Sequence, residues 1–232
     1  MENARLKLND YLSKYGKLYD KRALKFIKDS FLELTDPADA PDILLQVYSE
    51  LGIYSAADNL YLSHLNNIKR HFSIGGNILE VGGGMFPAFA RLLSKEQIKL
   101  NSGKLTVYDP NLIIQKLSNQ NIKLVKKEFD GATNINDFDL IVGIYPCEAT
   151  ESIIINACKN KKDFYLAMCG CVHFDFMKAM IFGTDPVAYQ NYIINLAKQM
   201  LEENNNGTLE FDTIDDKFGR SEYPILYNKK RS

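Results

Sequence analysis

Residues 80–87 combine a carboxylate, consecutive glycines and a proline in an order that suits ligand binding. Glu80 lies at the end of an apolar run, and Pro87 precedes an amphipathic one. This order predicts a buried parallel strand, a tight turn and a helix that begins near Pro87. Glycines allow the turn to approach a ligand closely, and the free N–H groups at the start of the helix point toward that ligand. The glycines are Gly82, Gly83 and Gly84.

Glu80 narrows the choice of ligand. A dinucleotide fingerprint requires a further glycine where this chain has Pro87, and a P-loop requires a Gly-Lys-Ser/Thr ending that is absent here. A carboxylate beside the turn disfavours a pyrophosphate and favours an ammonium or a sulfonium. S-adenosylmethionine (SAM) carries both of these groups, and its carboxylate suits the start of a helix. An ordinary strand-to-helix turn without a ligand is the alternative interpretation.

The same stretch resembles the first motif of class I SAM-dependent methyltransferases, a hydrophobic strand that ends in Glu/Asp-x-Gly-x-Gly-x-Gly. Glu80, Gly82 and Gly84 match this motif, whereas Phe86 stands where the family usually has its third glycine. The resemblance implies that SAM is the cofactor and that Glu80 and the turn, Gly83 included, hold it.

Two further carboxylates follow predicted strands. Asp109 ends the strand predicted over residues 105–109, and in nucleoside-binding folds this position accepts hydrogen bonds from the ribose hydroxyls. The sequence Asp-Pro-Asn at this point is also a common turn. The methyltransferase resemblance implies a contact of the adenine with Asp130, which follows a strand at residues 122–125. Asp-Gly at this second position also forms a turn by itself.

The run at residues 138–144 predicts a strand buried on both faces, because it is rich in β-branched residues. It has the usual fourth-strand pattern of the methyltransferases, and we place Ile144 in the cofactor site. Residues 143–173 further resemble a methyltransferase subgroup that includes tRNA-modifying enzymes. On this basis the acceptor site is bordered by three residues, with the second or the third as the candidate base. They are Tyr145, Glu148 and His173.

Three thiols and an imidazole share the predicted carboxyl edge of the sheet. They belong to Cys147, Cys169, Cys171 and His173. Such a set can form a tetrahedral zinc site, but Cys-x-Cys is tighter than the usual spacing of structural zinc ligands. We therefore expect unliganded thiols that line a substrate pocket and no bound metal, with zinc as the alternative.

The remaining pattern predicts the elements that position these residues. Residues 1–73 show helical spacing of apolar residues and no strand signal, so we expect a helical cap ahead of a SAM-binding domain at residues 74–232. His64 and His71 lie in a predicted cap helix and are expected to be structural or surface residues. The later elements predict an α/β fold with a Rossmann-like, doubly wound, mostly parallel sheet. The resemblance implies seven strands, with an antiparallel seventh strand between the fifth and the sixth.

Composition limits the partners of the chain. It has 232 residues, a formal net charge of −1, 46% hydrophobic residues and 25% charged residues, which is typical of a soluble protein. This charge favours neither a nucleic acid nor a membrane as partner. The first residues are polar and no apolar run reaches the length of a membrane span. We therefore expect a cytoplasmic protein with reduced thiols.

These features predict an enzyme that transfers a methyl group from SAM to an acceptor, slightly favouring a small molecule. RNA, and tRNA in particular, is the alternative acceptor, because residues 7–28 concentrate lysines. A solvated helix face also explains those lysines. A nicotinamide-dependent oxidoreductase and a non-catalytic SAM-binding protein are the other function classes. The N-terminal helices are the candidate surface for a homodimer.

Overall fold

Seven strands form one sheet, and six α-helices pack around it, within the residues that the computed structural model describes. Those residues are 2–19, 21–31, 44, 47, 56–84, 87–112, 121–168, 181, 185–214 and 224–229. The helices are α1 (Glu2–Tyr15), α2 (Lys21–Ser30), α3 (Ala56–His71), α4 (Ala88–Lys99), α5 (Thr150–Lys159) and α6 (Pro186–Asn204). The strands are β1 (Ile78–Val81), β2 (Leu105–Tyr108), β3 (Ile122–Val125), β4 (Leu140–Ile144), β5 (Asp163–Ala167), β6 (Thr208–Asp212) and β7 (Ile225–Lys229).

The strand order is β3-β2-β1-β4-β5-β7-β6. The first five strands of the chain pair in parallel, whereas β7 is antiparallel to both β5 and β6. Strand β6 therefore runs in the same direction as the five parallel strands, and its carboxyl end lies at the same edge of the sheet as their carboxyl ends. This topology confirms the predicted sheet, including the antiparallel seventh strand between the fifth and the sixth.

Helices cover both faces of the sheet, which explains why β1 and β4 are buried at every position. One face packs against α5 and α6 through residues such as Ile153 and Ile193. The other face packs against α3 and α4 through residues such as Ile68 and Phe89. This arrangement is the predicted doubly wound architecture.

The N-terminal helices contribute to two different cores. Helix α3 packs on the sheet, with Leu65 and Ile68 in the same cluster as the central strands. Helices α1 and α2 form a separate cluster with Leu112, and Tyr11 and Ile27 are buried in it. The domain boundary after residue 73 and the homodimer contact stay predictions. No helix among the described residues is long and apolar enough to cross a bilayer.

Two predicted strands are longer than the observed ones, and local turns explain the difference. Asp109 lies just beyond β2, because its carboxylate accepts a hydrogen bond from the N–H of Asn111 and so closes a turn. Phe138 lies before β4, because its N–H donates to the carbonyl of Ile135. Both residues remain next to the strands to which the sequence assigned them.

Candidate active site

The glycine turn after β1 is required by close packing within the protein. Gly82 has a φ of +76°, and its N–H donates to the carbonyl of Tyr108 at 2.9 Å. A Cβ at this position would lie 2.8 Å from Cα of Pro146. A Cβ on Gly83 would lie 2.6 Å from Cγ1 of Val107. A side chain at either position would require its neighbour to shift, and the φ of Gly82 also favours glycine, so the turn is held tightly between β2 and the segment after β4.

Glu80 lies beneath this turn and is 3% exposed. Its carboxylate accepts a hydrogen bond from the N–H of Ala90 in the first turn of α4, while the preceding Pro87 provides no side-chain cap. Its Oε2 has no hydrogen-bond partner among the described residues. Burial, with a smaller contribution from the charge of Asp109, raises the pKa of Glu80 to about 8. The free protein therefore holds a carboxyl group that a cationic ligand group would ionise and pair.

Asp109 connects the glycine turn to β2. Its Oδ2 accepts a hydrogen bond from the N–H of Gly84 at 2.8 Å, and its Oδ1 accepts one from Asn111 at 2.6 Å. Gly84 has a φ of +73°, which allows its N–H to point at this carboxylate. Asp109 thus forms the turn that the sequence suggested and also fixes the candidate cofactor loop. Its contact with a ribose stays a prediction.

Asp130 is exposed and its carboxylate is used by its own turn. Oδ1 accepts hydrogen bonds from the hydroxyl of Thr133 at 2.9 Å and from the N–H of Ala132 at 3.0 Å. These bonds, that from Thr133 first, lower the pKa of Asp130. The preceding Phe129 is buried and packs edge-on against Tyr108, with ring centroids 6.3 Å apart. The adenine contact of Asp130 stays a prediction.

The segment after β4 has an unusual backbone. Ile144 is buried, whereas Tyr145 and Cys147 adopt φ values of +55° and +47° in the left-handed region. Non-glycine residues rarely adopt this conformation, and such strain concentrates at functional sites. A short 3₁₀ helix, Cys147–Ala149, follows and leaves Glu148 exposed at the carboxyl edge. The structure therefore presents Tyr145 and Glu148 at the predicted edge, and their catalytic roles stay predictions.

Of the four cysteines and His173, the structure describes only Cys147 and Cys158. Cys147 is half-buried, and its Sγ lies 3.5 Å from the carbonyl of Tyr145. Cys158 is buried in α5, and burial raises its pKa to about 12. Cys169, Cys171 and His173 lie outside the described residues. The described part of the chain contains no cluster of three candidate metal ligands, and the choice between free thiols and zinc stays a prediction.

His64 is a member of this edge that sequence reasoning did not place there. It lies in α3, is completely buried, and is the structural residue that the sequence allowed. Its Nδ1 lies 2.9 Å from the hydroxyl of Tyr165, and its Nε2 lies 3.2 Å from the hydroxyl of Tyr145. Both tyrosine rings meet the imidazole edge-on. His64 therefore joins α3 to β5 and to the segment after β4.

A second polar cluster lies where β6 ends. The carboxylate of Asp212 accepts a hydrogen bond from the Nδ2 of Asn67 at 2.6 Å and lies 3.1 Å from Nε2 of His71. Burial opposes ionisation of Asp212, but hydrogen bonds from Thr213, His71 and Asn67 outweigh it and lower the pKa. Residues 64, 67 and 71 follow the helical spacing i, i+3, i+7, and this polar row in α3 is the one signal that could have revealed the cluster.

Together the glycine turn after β1, the carboxylate after β2 and the strand order agree with the resemblance of the sequence to class I SAM-dependent methyltransferases. No protein-family model matches the sequence, and no curated protein matches it.

Several solved methyltransferases are similar to this chain in structure. A protein from Methanococcus maripaludis assigned as a SAM-dependent methyltransferase has 15% identity and a TM-score of 0.49, and the match covers 75% of this chain and 87% of that one. The plantazolicin methyltransferase BpumL, in complex with a pentazolic desmethylPZN analog and SAH, has 13% identity and a TM-score of 0.49 over 94% of this chain and 99% of that one. The SAM-dependent methyltransferase SibL in its apo form has 11% identity and a TM-score of 0.44 over 100% of this chain and 76% of that one.

Proposed function

We propose that this protein is a SAM-dependent methyltransferase that acts on a small-molecule acceptor. The observation that carries the proposal is the buried carboxyl group of Glu80, whose Oε2 has no described hydrogen-bond partner beside the glycine turn. A buried carboxylate oxygen without a partner is costly, and a cationic ligand group relieves that cost. SAM offers an ammonium and a sulfonium, so the residues fit this cofactor.

Different residues of the chain bind the cofactor and align it with the acceptor. When bound, SAM supplies a methyl group on a positively charged sulfur, which makes that methyl carbon open to in-line attack. Glu80 pairs with the cationic part of the cofactor, and the turn of Gly82, Gly83 and Gly84 lets it approach the start of α4. Asp109, Asp130 and Ile144 complete the cofactor site. Alignment of acceptor and methyl group is the main catalytic requirement for such a displacement.

The acceptor site lies beyond the segment that follows β4. Tyr145 borders this site, and Glu148 is an exposed carboxylate that can accept the proton released by the acceptor. His173 is the other candidate base from the sequence. With SAM bound, methyl transfer to the acceptor would release one proton, and Glu148 or His173 would take it. S-adenosylhomocysteine is the second product.

Ion pairs of N-terminal lysines within their own helices favour a small acceptor over RNA. Lys14 pairs with Asp10 at 2.8 Å, and Lys25 pairs with Asp29, each pair within one helix. Such pairs are typical of a solvated helix face and offer little positive charge to a phosphate backbone. The net charge of −1 adds no overall attraction to a polyanion.

Calorimetry tests whether SAM is the cofactor. We expect SAM and S-adenosylhomocysteine to bind in the micromolar range or tighter, and Asp109→Ala to weaken binding by about 1–3 kcal/mol, since it frees the glycine turn. Asp137→Asn, which changes an exposed carboxylate outside the site, is the matched control and should bind normally. Absence of a SAM signal, together with quenching of nicotinamide fluorescence, would instead favour the oxidoreductase.

The acceptor class is tested with tritiated SAM on fractionated metabolites, proteins and RNA. We expect the label to enter a small-molecule fraction. Label in the RNA fraction would move the assignment to an RNA methyltransferase. Tight SAM binding without transfer to any fraction would favour a non-catalytic SAM-binding protein.

A further inference from the structure

Helices α1 and α2 pack around a hydrophobic core of their own. Tyr11 of α1, Ile27 of α2 and Leu112 are buried in it and are 7%, 0% and 2% exposed. Among the described residues, this core shares no buried residue with the two cores that cover the faces of the sheet. It meets one of them at β3, where Ile122 and Leu124 are half-buried and pack against both. A core that is separate in this way can open without opening the other two.

Leu112 connects the N-terminal core to the candidate cofactor site. It closely follows Asp109 in the chain, and its N–H donates to the carbonyl of Asp109 at 3.5 Å. The carboxylate of Asp109 accepts from the N–H of Asn111 at 2.6 Å and from that of Gly84 in the glycine turn at 2.8 Å. One short turn therefore determines both the position of Leu112 in the N-terminal core and the hydrogen bonding of the glycine turn.

The beginning of α4 is a second place where the N-terminal core and the candidate cofactor site meet. The N–H of Ala90 donates to the carboxylate of Glu80. The next residue, Arg91, is 8% exposed and interacts electrostatically with Tyr11 and Tyr19. The hydroxyls of these two tyrosines are hydrogen-bonded to each other. Neighbouring residues of α4 thus contact the cofactor-site carboxyl group and the N-terminal helices.

We propose that α1 and α2 form a closing unit, which docks and undocks as one body, and that its docking is coupled to SAM binding through Leu112. This inference rests on the proposed function. Bound SAM restrains the turn of Asp109, and that turn holds Leu112 in the N-terminal core, so undocking costs more free energy when the site is occupied. By thermodynamic linkage, the docked protein binds SAM more tightly than the undocked protein by the same factor.

Hydrogen–deuterium exchange of the full chain, followed by mass spectrometry, tests the closing unit first without SAM. We expect the amides of α1 and α2 to exchange at a common rate, because the two helices open together. That rate should be faster than the rate of β1 and β4, which are buried at every position. Exchange of α1 and α2 at the rate of these central strands would overturn the proposal, since the helices would then open only with the whole protein.

The coupling is tested by repeating the exchange in saturating SAM. We expect SAM to slow the exchange of α1 and α2 by about 5-fold or more, which is within the usual range for coupled sites. Calorimetry under the same conditions establishes that the site is filled. Unchanged exchange of α1 and α2 in a protein whose site is filled would overturn the proposal.

Three truncations of buried side chains separate the connection from general stability. Leu112→Ala removes the connecting side chain and should bring the slowing by SAM close to 1-fold. Ile27→Ala loosens α2 in the same core, so it should speed exchange in the free protein and keep the slowing seen in the wild type. Leu201→Ala makes the same change as Leu112→Ala in the core under α5 and α6, and should leave the exchange of α1 and α2 unchanged. Equal slowing by SAM in Leu112→Ala and wild type would contradict the connection.

Failure of the proposed function and failure of the coupling give different results. A wild-type protein that shows no SAM binding in calorimetry contradicts the proposed function and the coupling with it. Normal SAM binding without slower exchange in α1 and α2 contradicts only the coupling. The exchange measured in the free protein tests the closing unit in either case.

Discussion

Two carboxyl groups at the candidate site, those of Asp109 and Glu80, differ in their hydrogen bonding. Each carboxylate oxygen of Asp109 accepts a hydrogen bond from a backbone N–H, one in the glycine turn and one in its own turn. Glu80 keeps an oxygen without a described partner and a raised pKa. Two acidic residues that the same motif reasoning selects therefore have different physical roles. Asp109 shapes the turn, and Glu80 is the group whose charge state responds to a ligand.

Binding of SAM should release a proton from Glu80. Its pKa of about 8 keeps the carboxyl protonated in the free protein at neutral pH, and a cationic ligand group favours the ionised form. Calorimetry at about pH 7 in two buffers of different ionisation enthalpy should show release of up to about one proton. Glu80→Gln should abolish this release, whereas Asp137→Asn should retain it. Equal binding enthalpies in the two buffers would contradict the prediction.

The carboxyl group of Glu80 also makes the stability of the free protein depend on pH. In the unfolded chain the carboxyl ionises near its ordinary value, so the folded state binds more protons between that value and about pH 8. The free energy of unfolding should therefore fall as the pH rises through this window. Denaturant titrations at several pH values should show a smaller fall in Glu80→Gln. A steeper fall in that variant would contradict the sign.

At the scale of elements, the turn after β1 and the segment after β4 are built against each other. Gly82 leaves room for Pro146, and the residues on both sides of Pro146 adopt left-handed backbone. The two segments therefore pack in direct contact, and a displacement of one would remove packing surface from the other. The cofactor loop and the acceptor edge thus form one unit.

Gly82→Ala should destabilise the protein by about 2–4 kcal/mol. The added Cβ combines a left-handed conformation, which costs about 1–2 kcal/mol, with an overlap against Cα of Pro146. Thermal unfolding should show a lower Tm, and SAM binding should weaken as well. Gly131→Ala is the matched control, because a Cβ there meets nothing within 4 Å. Equal Tm values for the two variants would show that the turn tolerates the change.

Helix α3 depends on a carboxylate from β6. Because hydrogen bonds lower the pKa of Asp212, its contribution to stability is present above the ordinary aspartate pKa and is lost as the pH falls through the lowered value. Asp212→Asn should reduce the free energy of unfolding at neutral pH. In this variant the free energy of unfolding should also fall less steeply as the pH is lowered into acid. Glu202→Gln, an exposed change on α6, should leave the acid limb unchanged. Denaturant titrations from neutral pH into acid measure both.

For the molecule as a whole, the sequence predicts the order of elements better than the contacts between them. The buried runs at β1 and β4 and the carboxylates that follow strands were recognisable, because periodicity and chain order record them. The contact of His64 with Tyr145 spans 81 residues, and that of Asn67 with Asp212 spans 145. A single sequence holds no record of such pairs. Glu80 was found from its position, but its missing partner and raised pKa required the packed environment.

RNA should bind weakly and without dependence on the N-terminal lysines. Filter binding at several salt concentrations should show no salt-sensitive complex, and the combined variant of Lys14, Lys17, Lys21 and Arg22 to neutral residues should retain full turnover. A wild-type complex whose log–log salt slope falls by roughly 0.7–0.9 per removed contact in that variant would instead support an RNA acceptor. SAM affinity should not change in either case.

The position of β7 has a consequence for how the chain is completed during synthesis. Among the described strands, β6 pairs with β7 alone, although β6 is made first. Translation therefore delivers β6 before its place in the sheet exists, and the exposed side of β5 stays open until residues 225–229 leave the ribosome. Asn67 and His71, made much earlier, must wait for the same event to meet Asp212. The edge of the sheet formed by β7 and β6 is thus assembled last, after the strands that hold the glycine turn.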